Sequence, residues 1–251
     1  MKKISFKNND NKKIFGTLSI PNKKSSEMNI IVHGFSTTKD GGSKITAKIL
    51  TKNKINNLTI DLDDIGESEP AFEDMTITKY AKTIISTIKY LEKKGFKHIN
   101  IIGTSTGALS TMVAALKYPK INSIILRSAS PYDGEWFKKH VGGSKGLDRW
   151  KKKGFIPYKT TRGIKKIKYG YYTDALKYNM YKLAKNIKVP TTLIHGRNDN
   201  NIPYKNAKKL ARNFSKAKFI TINGADHTLG VNGDYKESQN IILNCIWKVR
   251  K

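Results

Sequence analysis

The chain has 251 residues, one cysteine, and 48 Lys and Arg against 19 Asp and Glu, for a formal net charge of +29. That length suits one large α/β domain, and no apolar run approaches the ~18 residues of a membrane span. The single Cys245 excludes an internal disulfide framework and fits a reducing cytoplasm, and the basic start Met1-Lys2-Lys3 is not followed by the apolar core of a secretion signal. Lys, Asn and Ile are abundant together along the whole chain, as an AT-rich coding sequence produces. The lysines are not gathered beside stacking aromatics, so the basicity is read as incidental and no specific nucleic-acid partner is expected. Its remaining physical consequence is faster association of anionic ligands at low salt.

In chain order, Lys2 to Phe6 and Ile14 to Ile20 alternate like an antiparallel hairpin turned by Asn8-Asn9-Asp10-Asn11. Asn29 to Val32 reads as a buried strand ending at His33-Gly34, followed by a helix over Lys44 to Lys52 and a strand over Leu58 to Asp61. Thr76 to Lys94 repeats apolar residues at helical spacing (Tyr80, Ile84, Ile88, Leu91) and stops at Gly95. His98 to Ile102 is a strand, Ala108 to Leu116 a helix ended by Tyr118-Pro119, and Ser123 to Leu126 a strand. Residues 130–182 break this rhythm and are expected to form a small helical cap inserted into a core made of 1–129 and 183–251. The rhythm resumes with a strand over Pro190 to Ile194, a helix over Tyr204 to Phe214, a strand over Lys218 to Ile222 and a helix over Tyr235 to Val249. Strands alternating with helices predict an α/β fold with a mostly parallel, doubly wound sheet and right-handed crossovers.

Gly103-Thr104-Ser105-Thr106-Gly107 lies where a strand turns into a helix. Glycines at both ends remove Cβ atoms that so tight a turn would crowd, and the middle serine is left exposed at the C-terminal edge of the sheet. A serine hydroxyl needs a base to take its proton, and the base needs an acid to fix its tautomer. On this architecture they are expected in the order Ser, Asp, His. Leu193 to Asp199 is a strand running into a loop that ends in a carboxylate, and Phe219 to His227 is a strand running into a loop that ends in an imidazole. Ser105, Asp199 and His227 are therefore the candidate triad.

Rival residues read as structural. His33 and His195 end strands before glycine, His98 and His140 look exposed, Asp226 adjoins His227 and would not face it, and Asp174 is a second rival acid. Ser110 lies inside a helix, where its hydroxyl can bond back to the preceding turn. The developing oxyanion needs two backbone donors. Thr106 supplies one, and the turn after Val32 supplies the other, assigned to Phe35 with Gly34 and Ser36 as the competing positions. The insertion carries Trp136, Trp150, Phe155, Tyr158, Tyr171 and Tyr172, either as an apolar wall of the site or as the core of the cap itself. Tyr172 and Trp136 are taken as substrate contacts.

Together these motifs resemble the α/β-hydrolase superfamily over nearly the whole chain. His33-Gly34-Phe35 is similar to its oxyanion loop, His195 to Pro203 to its acid loop, and Gly224-Ala225-Asp226-His227 to its histidine loop. Phe72-Glu73-Asp74-Met75-Thr76-Ile77 and the cap size are most like small microbial serine esterases related to feruloyl (cinnamoyl) esterases. Two departures stand out: Asp63-Asp64-Ile65 replaces the usual Arg-Gly-His, and threonines flank Ser105 where His or Tyr and Met or Gln are common. The resemblance implies a carboxylic ester hydrolase acting on a small-molecule ester through an acyl-serine intermediate. A thioesterase or amidase/peptidase on the same triad is the alternative, and a non-catalytic hydrolase-fold binding protein a third reading. No metal and no cofactor are expected, since the histidines lack ligand spacing and no phosphate-binding glycine loop occurs.

Overall fold

Short β-branched runs bounded by turn residues become strands, and runs with helical apolar spacing pack on the faces of the sheet they form. The computed structural model describes the backbone of residues 1–249 and the side chains of residues 1–246. β1 (Lys2–Lys7) and β2 (Lys13–Ser19) form the antiparallel hairpin. β3 (Glu27–Val32), α1 (Gly42–Lys52), β4 (Asn57–Ile60), α2 (Ile77–Lys93), β5 (His98–Thr104), α3 (Thr106–Lys117) and β6 (Ser123–Arg127) then alternate. Next come α4 (Asp133–His140), α5 (Gly143–Lys153), the antiparallel pair β7 (Phe155–Thr160) and β8 (Gly163–Lys168), α6 (Tyr169–Ala175) and α7 (Met180–Leu183). β9 (Thr191–Gly196), α8 (Tyr204–Arg212), β10 (Ala217–Ile222) and α9 (Lys236–Val249) complete the order.

Eight strands join in the order β1-β2-β4-β3-β5-β6-β9-β10, and every pair from β4 to β10 is parallel. β3 leads outward to β4, and the chain then crosses back through α2 to β5 on the other side of β3. The loops leaving β3 and β5 therefore part company at the carboxyl edge of the sheet, and that divergence opens a crevice where ligands of such sheets bind. Side chains alternate across the strands. Ile30, Val32, Ile101, Ile124, Leu126 and Leu193 enter one core with α2 and α3. Ile31, Ile102, Ile125 and Ile194 enter a second core with Leu50 of α1 and Ile242 of α9.

Residues 130–182 are not purely helical, as the sequence had suggested. β7 and β8 form a hairpin turned by Thr161-Arg162, and Gly163, the first residue of β8, has φ +89°. Pro157 is tolerated because the pair is a two-stranded ribbon with free edges. The hairpin is tied to the core where Asp63-Asp64 departs from the family pattern. Asp64 pairs with Lys165 of β8 at 3.1 Å and accepts the Phe72 amide, while the buried Asp63 accepts the Tyr80 hydroxyl at 2.6 Å. Burial pushes the Asp63 carboxyl up from its ordinary value. No helix among the described residues is long and apolar enough to cross a membrane.

Candidate active site

Ser105 sits between β5 and α3 with φ +54° and ψ −120°. A non-glycine residue there stores strain of about 1–3 kcal/mol, and it persists only where the surroundings over-determine it. They do so here. The Ser105 amide donates to the Arg127 carbonyl at 2.9 Å, anchoring the turn to β6. A Cβ on Gly103 would lie 2.6 Å from the Thr111 hydroxyl oxygen, and one on Gly107 would overlap the His33 carbonyl oxygen. Both glycines are required by close packing of α3 against β5 and β3. Ser110 is fully engaged by its own helix, its Oγ donating to the Thr106 carbonyl at 2.9 Å.

The loops after β9 and β10 bring the other two groups to the same edge. His227 Nε2 lies 3.1 Å from Ser105 Oγ, and His227 Nδ1 lies 2.8 Å from Asp199 Oδ2. Asp199 is buried, and its other oxygen accepts the amides of Asn201 and Ile202 at 2.9 and 2.8 Å. With Nδ1 facing a carboxylate, the neutral ring carries its proton there and presents Nε2 to the serine as an acceptor. Two further contacts hold the histidine loop: the Ser128 hydroxyl donates to the His227 carbonyl at 2.7 Å, and the Asn198 amide donates to the Ala225 carbonyl.

The rival residues fall into place by their bonds. His33 is buried, accepting the Leu62 amide at Nε2 and meeting the Gly34 carbonyl at Nδ1. Asp226 turns outward, where the Thr228 hydroxyl and amide hold its carboxyl below the usual carboxylate range. Asp174 binds the amide and hydroxyl of Thr78 and belongs to the junction of α6 with α2. His195 is more than a strand end. Its Nε2 is 2.9 Å from the Ile202 carbonyl and 3.2 Å from Asp199 Oδ2, and burial pulls its pKa below the ordinary imidazole value. A neutral His195 therefore shares one N–H between Asp199 and the Ile202 carbonyl, a contact that its position before Gly196 did not reveal.

Phe35 and Thr106 line a cavity of about 480 Å³ together with Ser105 and His227. The Phe35 ring packs against Phe72, Phe137, Tyr158 and Tyr171 at centroid distances of 5.1–5.7 Å. Thr106 donates its hydroxyl to Asp133 Oδ2 at 3.2 Å, and Tyr171 donates to the same oxygen at 2.8 Å. Burial pushes the Asp133 carboxyl up, towards the neutral form.

Trp136 lines the cavity, as do Phe137 and Tyr158. Tyr172 does not. It packs against Trp150 and Tyr169 at 5.8 and 5.5 Å, inside the small core of the insertion, where Trp150 is buried and donates Nε1–H to the Ile167 carbonyl. The expectation for Tyr172 is corrected accordingly. α6 is amphipathic, and the turn that sends Tyr171 towards Asp133 leaves its neighbour facing α5. Asp133, Ser130 and Arg127 also line the cavity. The sequence offered no sign of them, because Arg127 ends β6 and Ser130 and Asp133 follow it, where the path of the chain decides direction. Among the described residues no group of three or more His, Cys, Asp or Glu side chains is gathered as a metal would need.

The model of the prolyl oligopeptidase family, Peptidase_S9, matches residues 71–244, more than half of the chain and a span that includes Ser105, Asp199 and His227. The chain belongs to that family. It is a serine hydrolase of the α/β-hydrolase type. It is 21% identical over 198 residues to the serine hydrolase BPHL of Mus musculus, an alignment covering 72% of this chain and 66% of that relative. Among solved structures, Est1E from Butyrivibrio proteoclasticus superimposes with a TM-score of 0.80 at 20% identity, covering 99% of both chains, and has also been solved with ferulic acid bound. Alpha/beta hydrolase domain-containing protein 10 from mouse superimposes with a TM-score of 0.80 at 17% identity, covering 99% of this chain and 100% of that one. At such identities the likeness establishes the shared fold.

Proposed function

We propose that the protein cleaves carboxylic esters through an acyl-serine intermediate, with Ser105 as nucleophile, His227 as general base and acid, and Asp199 as the group that orients His227. The observation that carries this reading is the unbroken relay of 3.1 Å and 2.8 Å contacts from Ser105 through His227 to Asp199. His227 Nε2 takes the serine proton as Oγ attacks the ester carbonyl. The oxyanion is received by the amides of Phe35 and Thr106, the latter at the positive end of α3. His227 then returns the proton to the departing alcohol, and water repeats the sequence on the acyl-serine to release the acid. His195 is a positioning residue, since it touches Asp199 and no reacting atom.

Residues 130–182 act as the cap of this site, with Trp136, Phe137 and Tyr158 forming an apolar wall on the substrate. The reaction uses no metal and no cofactor, and the one cysteine suits work in the cytoplasm. Amide or peptide cleavage on the same triad is the second reading, favoured by the peptidase family to which the chain belongs. A panel of p-nitrophenyl esters against aminoacyl anilides separates the two. Turnover confined to the anilides overturns the esterase reading, and failure of Ser105 to react with a fluorophosphonate probe overturns both.

A further inference from the structure

Arg127 ends β6 on the face shared with Ile125, turned towards α1 and α9 rather than the larger core. Only 4% of it is exposed. A guanidinium carries five N–H donors, and here Nη1 meets the Thr46 hydroxyl at 3.2 Å and Nη2 the Thr228 carbonyl at 3.5 Å. Nε is buried and has no partner among the described residues. No carboxylate of the described residues pairs with it, and burial pulls its pKa down to about 10, which leaves it cationic at neutral pH. A buried charge without a counter-ion is strongly unfavourable unless a ligand completes it.

The surroundings of Arg127 point the same way. Thr46 belongs to α1, whose first turn is uncapped by any side chain and opens on Gly41 and Gly42, where a Cβ on Gly42 would meet nothing. Arg127, Gly42, Ser43, Thr228, Tyr235 and Gln239 all line the cavity that holds Ser105 and His227. Among the described residues the Arg127 Nε is a buried donor without a partner, and Arg127 lines this cavity. The acids nearby are already engaged: Asp226 by Thr228, and Asp40 by Lys39 and Lys44. A helix N-terminus, a guanidinium and hydroxyls on one wall make an anion receptor.

We propose that this wall is an anion subsite of the active site, so that the preferred substrate carries a carboxylate or phosphate on its alcohol half. The proposal rests on the esterase reading for the identity of the ligand. The alcohol half is assigned because Thr228, on this wall, follows the histidine that returns the proton to the departing alcohol.

The test compares 4-acetoxybenzoate with its neutral counterpart 4-acetoxybenzamide, and p-nitrophenyl hydrogen succinate with p-nitrophenyl butyrate for charge on the acyl half. The enzymes are the wild type, Arg127→Met and the surface control Lys151→Met. The wild type and Lys151→Met should favour the alcohol-half anion by about tenfold or more in kcat/KM, and Arg127→Met should lose that ratio. Inorganic phosphate should raise KM for the neutral ester and raise Tm in the wild type, at concentrations that leave Arg127→Met unaffected.

A structural role for Arg127 would lower neutral and anionic turnover alike and leave the ratio unchanged, which overturns the proposal. So does a preference confined to the acyl-half anion, or phosphate effects equal in all three proteins. Should Arg127→Met fail to fold, the wild-type ratio and phosphate titration still decide, with Arg127→Lys expected to give an intermediate ratio. Arg127-dependent phosphate binding without ester turnover would retain the subsite and remove the esterase reading.

Discussion

The sheet edge that carries Ser105, Asp199 and His227 and the insertion between β6 and β9 are held by different forces. At the edge, position is set by backbone: glycines that admit no Cβ, a strained serine, and amides that grip one oxygen of Asp199. In the insertion, position is set by rings. Trp150 packs edge-on or tilted against Phe137, Tyr169 and Tyr172, and Phe137 in turn meets Phe35 and Tyr171. Backbone contacts fix atoms to the tolerance that proton transfer needs. Ring contacts fill volume and allow repacking, so this region is suited to selecting a substrate and the edge to transforming it.

The contrast breaks first at its chemical end. Ser105→Ala should keep the fold and lose roughly 10³-fold or more in kcat, and Asp199→Asn should lose about 10⁴-fold by letting His227 adopt the wrong tautomer. Near-wild-type ester hydrolysis by either variant in steady-state assays would refute the assigned roles.

At the other end, Trp150→Ala removes the largest buried side chain of the insertion and should cost about 3–5 kcal/mol in denaturant unfolding. Ser105 should still react with a fluorophosphonate below the new midpoint. If labelling disappears while the sheet stays folded, the two regions are not separable as argued.

A smaller change sharpens the boundary within the insertion. Trp136→Ala should raise KM for aryl esters several-fold, because it strips one wall of the cavity, while Tyr172→Phe should leave KM as it is. Equal effects of the two on KM would erase the distinction between wall and core.

The smallest effect concerns pH. Lys39 is buried among Asp40, Asp61 and Glu67, and hydrogen bonds from Lys3 and Lys39 hold the Glu67 carboxyl down to about 2. A folded-state value below the unfolded one means that this contribution is present above about pH 4.5 and fades as the pH falls towards 2. Thermal melts should show Tm dropping across that window, less steeply in Glu67→Gln. Asp133 has the opposite sign: its raised value costs stability as the pH climbs past the unfolded carboxylate range, so Asp133→Asn should raise Tm more at pH 8 than at pH 4.

Much of the edge was legible from residues alone. β-branched runs, the Gly103 to Gly107 elbow and the order Ser, Asp, His are local signals, and parallel strands must deliver their loops to one edge. The relation of His195 to Asp199 was not legible, because it depends on how the loop from Arg197 to Ile202 folds back over β9. Nor was the β7–β8 hairpin, whose lysine-rich alternation reads equally well as a solvated helix.

By itself, then, the sequence determined the alternation of strands and helices, the place of the elbow, and which three residues reach the carboxyl edge, since each follows from periodicity or from a contact a few residues long. Only the tertiary structure decided that Tyr158 and Phe137 face the cavity while Tyr172 does not, and that Arg127 is buried beside α1 with no counter-ion among the described residues. Those outcomes depend on which segments, distant in the chain, meet across the sheet edge, and no local pattern encodes the direction in which a loop side chain turns.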